Sequence, residues 1–139
     1  MTAAIAVAAL AAGLLAGCAD DSAAVRTDPT PAAPQSRLTV TVDPDGKATA
    51  TKTWTLQCEP PGGDHPDPAG ACAQLAAAER PFAPLPKDVM CTEIYGGPAT
   101  ATISGVWRGA AVAASYARQN GCGISRWDAI AKVLAGAAG

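Results

Sequence analysis

Cys58, Cys72, Cys91 and Cys122 constrain this chain more than any other feature, because little else in it can build a large core. The 139 residues include one Phe, two Tyr and three Trp. A small domain so poor in large side chains gains most from covalent staples. Structural zinc is the competing use of cysteine, but zinc sites favour cysteines two to four residues apart, and no two of these four are that close. An even number of cysteines in an exported domain therefore reads as two disulfides. Three pairings exist. Sequential pairing would close loops of 15 and 32 residues, worth about 3 and about 3.7 kcal/mol in the chain-entropy model.

The N-terminus speaks for export. Residues 3–17 are apolar or small throughout. A bilayer-spanning helix needs about 20 such residues, so the shorter run, ending in small residues, reads as a signal peptide over 1–17. Leu15-Ala16-Gly17-Cys18 resembles a bacterial lipobox, the signal in which the cysteine is lipidated and becomes the mature N-terminus. Residues 18–36 then form a lipidated Cys18 and a small, acidic, Pro-containing spacer. Such a composition buries no core and stays disordered. The expected location is the extracellular face of the cell membrane as a lipoprotein, or secretion. The membrane enters only through the lipid anchor.

Residues 37–139 suit one domain. Of ten Lys/Arg only Arg26 precedes it, and of twelve Asp/Glu only Asp20, Asp21 and Asp28, leaving nine charges of each sign. That balance offers no basic patch for nucleic acid and no acidic block for a cationic partner. His65 is the only histidine. A catalytic base needs a nucleophile and an orienting partner, and none is signalled, so His65 reads as a turn residue and the chain as no enzyme. Asp64 and Asp67 lack an EF-hand pattern and read as a solvated turn and a helix cap. No metal or cofactor is implied.

Leu38–Val42 alternates with period two, as a half-buried strand does. Asp43-Pro44-Asp45-Gly46 is a turn, and Ala48–Gln57 reads as the second strand of a hairpin. Lys52 interrupts its apolar side and marks a sheet margin. After a Pro- and Gly-rich loop, Asp67 caps a helix with Pro68 at its first position. That helix carries Cys72, Leu75, Ala76 and Glu79 and ends at Pro81. Residues 81–90 are a loop. Thr100–Trp107 and Ala110–Ala114 alternate as strands around a tight Arg108-Gly109 turn, and Ser115–Cys122 fits either a helical turn or a strand end. Ser125–Asp128 loosely matches a capping box. Trp127, Ile130, Ala131 and Leu134 share a helical face beyond it, and Gly136 is a natural stop. Trp54, Trp107 and Trp127 all fall on apolar faces and read as core.

The remaining segment, Val89-Met90-Cys91-Thr92-Glu93-Ile94-Tyr95-Gly96-Gly97-Pro98, has a cysteine just before a short extended stretch and a Gly-Gly-Pro brake after it. This suits a loop pinned to the body and held open for another protein to grip. With Leu38–Val42, Trp54–Cys58, Gly62–Pro66, Ala71–Leu75, Gly105–Gly109 and Asn120–Cys122, it resembles the Streptomyces subtilisin inhibitor family over about residues 38–126. The resemblance implies an α+β fold, an antiparallel sheet of about five strands with two helices packed on it, usually dimeric. It also implies the disulfides Cys58–Cys72 and Cys91–Cys122, and a reactive loop of Met90, Cys91, Thr92, Glu93, Ile94 and Tyr95. The implied activity is serine-type endopeptidase inhibition with a scissile bond Glu93–Ile94, against a subtilisin-like, trypsin-like or glutamate-preferring enzyme. The alternative is a non-inhibitory cell-envelope lipoprotein that keeps the fold as a binding module. The chain departs from the family at Glu93, where relatives that inhibit subtilisin or trypsin have Met, Lys or Arg. It departs again at the C-terminus, which reads helical where the family prototype ends in a strand.

Overall fold

The structure is a computed structural model that describes residues 35–135 and Pro29. The signal peptide, Cys18, most of the spacer and the expected stop at Gly136 lie outside the described residues. Five strands form one antiparallel sheet: β1 (Ser36–Asp43), β2 (Lys52–Cys58), β3 (Gly62–Gly63), β4 (Thr100–Trp107) and β5 (Ala110–Ala117). Their order is β3-β2-β1-β4-β5. Helix α1 (Pro68–Ala77) and helix α2 (Gly121–Asp128) complete the fold. The α+β architecture and both sequential disulfides, Cys58–Cys72 and Cys91–Cys122, are present.

Alternation sets the sheet's two faces. In β1, Leu38, Val40 and Val42 are fully buried, while Thr39 and Arg37 are exposed. Val40 lies opposite Trp54 on one side and Ile103 on the other, so the central strand carries the core through both neighbours. At Gly105, φ is +131°, and a Cβ there would overlap the Arg37 carbonyl oxygen. A strand glycine at such a close backbone approach admits no side chain. The Arg108-Gly109 turn has positive φ at both residues, the primed geometry that matches the strand twist of a tight hairpin.

Several boundaries differ from the sequence expectation. The second strand begins at Lys52, not Ala48. Asp43 accepts from the Gly46 and Ala48 amides at 3.1 and 2.9 Å, and Asp45 accepts from the Lys47 amide and the Thr49 hydroxyl. These local bonds curl residues 44–50 away from the ladder, and hold the Asp45 carboxyl below the usual carboxylate range. Lys52 is exposed at the sheet margin, as expected, because β3 pairs only with Leu56 and Gln57. Ser36, assigned to the spacer from sequence, is buried at the start of β1. Helix α1 has its cap at Asp67, whose side chain accepts from the Gly70 amide at 2.9 Å. It ends at Ala77, with Ala78 already extended, so Glu79 lies beyond it.

The ambiguous stretch after Ala114 resolves into the end of β5 and the start of α2. The cap is Asn120, which accepts from the Gly123 amide at 2.9 Å, and not Ser125, which sits inside the helix. After Asp128 the chain continues as successive turns, with bonds from Ile130 to Trp127 and from Leu134 to Ile130. Trp127, Ile130, Val133 and Leu134 are buried, whereas Ala131 is half-buried. Trp54 and Trp107 are likewise only half-buried against the core. Gln74 of α1 accepts from the Lys132 amide at 2.8 Å. His65, expected as a turn residue, lies between two bends and is buried. Its Nδ1 accepts from the Asp67 amide at 3.1 Å, so Nε2 carries the proton and donates to the Val133 carbonyl at 2.8 Å. The one histidine thus ties the C-terminal turns to the cap of α1.

Candidate functional site

Residues 89–97 belong to no helix, strand or turn, Gly97 has a positive φ of 107°, and Pro98 lies at a bend. Thr92, Glu93, Ile94 and Tyr95 are exposed in succession, and Met90 is 97% exposed. Val89, Ile94 and Tyr95 are exposed in the same segment, and clustered exposed apolar side chains mark interaction sites. Among the described residues, nothing hydrogen-bonds the backbone of Glu93, Ile94 or Tyr95.

The two ends of that tripeptide are held. On the N-terminal side the Cys91–Cys122 disulfide joins the loop to α2, with 5.3 Å between Cα atoms. The Gly121 amide donates to the Thr92 carbonyl at 2.9 Å. On the C-terminal side the Gly96 amide donates to the Arg118 carbonyl at 2.7 Å, and Arg118 Nε donates to the Gly96 carbonyl at 2.8 Å. A Cβ at Gly96 would come within 2.7 Å of Ile124 Cγ1, so any side chain there would have to displace Ile124 of α2.

The loop before the site is also fastened. Arg126 Nε donates to the Ala83 carbonyl at 3.0 Å and its NH1 donates to the Ser115 carbonyl. The guanidinium lies 4.0 Å from the Tyr116 ring centroid, a cation–π distance. The Tyr116 hydroxyl donates to the Pro81 carbonyl at 2.6 Å. Burial pushes the Tyr116 phenol up to about 12, against the opposing charge of Arg126.

Each residue expected at the site, Met90 to Tyr95, lies on this one stretch, and Cys122 meets it from α2. Sequence reasoning did not find Gly96, Arg118, Gly121 or Asn120 as supports. The adjacent Gly-Cys and Gly-Gly pairs are the signal that could have found the backbone approaches; nothing in the sequence pointed to Arg118.

The family model described as subtilisin inhibitor-like matches residues 32–120. The chain belongs to the subtilisin inhibitor-like family. Subtilisin inhibitor-like protein 1 of Streptomyces cacaoi is 38% identical over 87 residues, covering 59% of this chain and 78% of that protein. Subtilisin inhibitor-like protein 5 of Streptomyces fradiae is 41% identical over 78 residues, covering 54% and 72%. The transglutaminase-activating metalloprotease inhibitor of Streptomyces mobaraensis is 38% identical over 94 residues, covering 63% of each chain. This is a family of protease inhibitors, not of enzymes. The match stops at residue 120, so α2 and Cys122 lie outside it. Two disulfides fit an exported domain, and no helix among the described residues is long and apolar enough to cross a membrane.

Proposed function

We propose that this domain inhibits a serine endopeptidase by offering Glu93–Ile94 as a slowly cut, substrate-like bond. The observation that carries the reading is the exposed, unbonded tripeptide Glu93-Ile94-Tyr95 between two fixed points. A loop already fastened at both ends loses less ordering entropy when it enters a cleft. Its free backbone groups pair with the protease as an added strand would, and Glu93 fills the primary specificity pocket. The Cys91–Cys122 bond holds the acyl side beside the cut, so religation competes with release.

Glu93 selects the target. A carboxylate left unpaired in an apolar pocket costs several kcal/mol, so the matching enzyme is a glutamate-preferring serine protease with a cationic pocket. Export with diacylglycerol on Cys18 would tether the inhibitor to the outer membrane face, where the spacer lets it reach a secreted or surface enzyme.

The direct test is stoichiometric titration of purified protein against glutamate-preferring, trypsin-like and subtilisin-like serine proteases. A metalloprotease is added because one relative is named as an inhibitor of that class. One-to-one loss of the glutamate-preferring activity is expected. Absence of inhibition throughout would leave a non-inhibitory envelope lipoprotein. The anchor is tested by mass spectrometry of the mature N-terminus and by fractionation of a Cys18→Ser chain, which should leave the membrane. Light scattering tests the homodimer that the family resemblance implies.

A further inference from the structure

Arg118 does not behave as a surface residue. Its side chain is 19% exposed although it carries a permanent charge. Nε donates to the Gly96 carbonyl at 2.8 Å, while NH1 reaches Asp128 Oδ1 at 3.3 Å. The guanidinium also lies 5.8 Å from the Trp127 ring centroid, within cation–π reach. Its own carbonyl accepts the Gly96 amide at 2.7 Å. One residue therefore holds Gly96 by both backbone groups, and two α2 side chains hold that residue. Trp127 is 1% exposed, so the aromatic support is itself fixed by the core. Asp128 and Trp127 lie beyond residue 120, outside the family match. This support is thus completed by a part of the chain that the family match does not cover.

We infer that Arg118 is a positioning residue for the leaving side of the reactive loop, oriented by Asp128 and Trp127 to hold Gly96 two residues past Ile94. The inference rests on the Glu93–Ile94 reading of the loop. In an acyl-enzyme, Glu93 is an ester of the protease serine and Ile94 has become a free amine. Religation requires that amine to attack the ester carbonyl. The peptide bond re-forms, and the serine oxygen leaves with the proton that the nitrogen gives up. Hydrolysis instead consumes a water and releases the carboxylate. The Cys91–Cys122 disulfide restrains only the acyl side. Without Gly96 held, the amine drifts from the carbonyl, effective concentration falls, and water wins more often.

The guanidinium fork matters as well as the charge. Arginine donates to two acceptors in one plane, and lysine cannot reproduce that geometry. The ion pair with the exposed Asp128 is a weak orienting contact, whereas the charged bond to Gly96 is the stronger one.

The test uses the full chain and a glutamate-preferring serine endopeptidase. Cleavage at Glu93–Ile94 is followed by mass spectrometry, and exchange of the Gly96 amide by NMR. Asp128→Asn should raise the cleavage rate about threefold, as loss of a surface ion pair does. Arg118→Lys and Arg118→Ala should raise it about tenfold or more, as loss of a charged hydrogen bond does. Gly96 amide exchange should rise in the same order. Exchange of the core amides Leu38, Val40 and Val42 should stay unchanged, which mere loosening of the whole domain would not give. Asp128 is exposed, so Asp128→Asn keeps the test sound if Arg118→Ala does not fold. Wild-type inhibition with variants cut at the wild-type rate would overturn the inference and leave the inhibitory reading standing. A wild type that is cut without inhibiting sinks that reading. Faster cutting and faster Gly96 exchange in the variants would then still support Arg118 as the residue that positions the loop.

Discussion

Glu93→Lys separates what the loop does in a complex from what it does for the fold. In the free protein Glu93 is exposed, and no ion pair or hydrogen bond of its side chain occurs among the described residues. Surface changes of this kind stay within about 0.5 kcal/mol of neutral, so thermal stability should not move. In the proposed complex the same side chain would become the one most deeply buried. A trypsin-like pocket carries a buried carboxylate, which repels Glu93 and pairs with a lysine. An unmatched buried charge costs on the order of 3–5 kcal/mol, which corresponds to about two to four decades in affinity. Inhibition constants for wild type, Glu93→Lys and Glu93→Met should therefore sort by pocket. Wild type should act best on a glutamate-preferring enzyme, the lysine variant on a trypsin-like one, and the methionine variant on a subtilisin-like one. Lys132→Ala, in the C-terminal turns, serves as the control and should match wild type. Constants indifferent to residue 93, with melting temperatures unchanged, would refute the placement of Glu93 in the pocket.

Replacing Cys91 and Cys122 together by Ser should lower stability by about 3.7 kcal/mol through the 32-residue loop they close, and the variant should be degraded at Glu93–Ile94 rather than inhibit; urea titration and mass spectrometry read the two effects. Gly105→Ala forces a side chain against the Arg37 carbonyl oxygen at φ +131°, so the variant should express poorly or unfold early in circular dichroism, and wild-type stability would contradict the strand geometry. The buried Tyr116 phenol titrates near 12 in the folded protein and near 10 once unfolded. The folded state then keeps a proton that the unfolded state loses. Its contribution is present below pH 10 and is lost as pH rises towards about 12. Denaturation midpoints between pH 9 and 12 should fall more steeply for wild type than for Tyr116→Phe, and equal slopes would mean that Tyr116 is not protected by burial.

Local rules carried the strand alternation of Leu38–Val42, the Asp67-Pro68 helix start and the Arg108-Gly109 turn, because each depends on side chains within a few residues of one another. The wide cysteine spacing, unlike that of zinc sites, and the signs of export already pointed to two disulfides. Their pairing was implied by the family resemblance, not by spacing, and the folded chain bears it out. Where local signals competed, tertiary context chose. Asp43 and Asp45 bind nearby amides and delay β2, and Asn120, not Ser125, caps α2, the helix that carries Cys122 to Cys91. The loop Met90–Tyr95 was legible as a motif along the chain. Its stiffness was not, because the groups that hold it come from residues 118–128 and meet it only across space. A guanidinium 22 residues beyond Gly96 leaves no trace in periodicity or composition. That distance in sequence is why the sequence by itself could name the loop, while only the fold could say what holds it open.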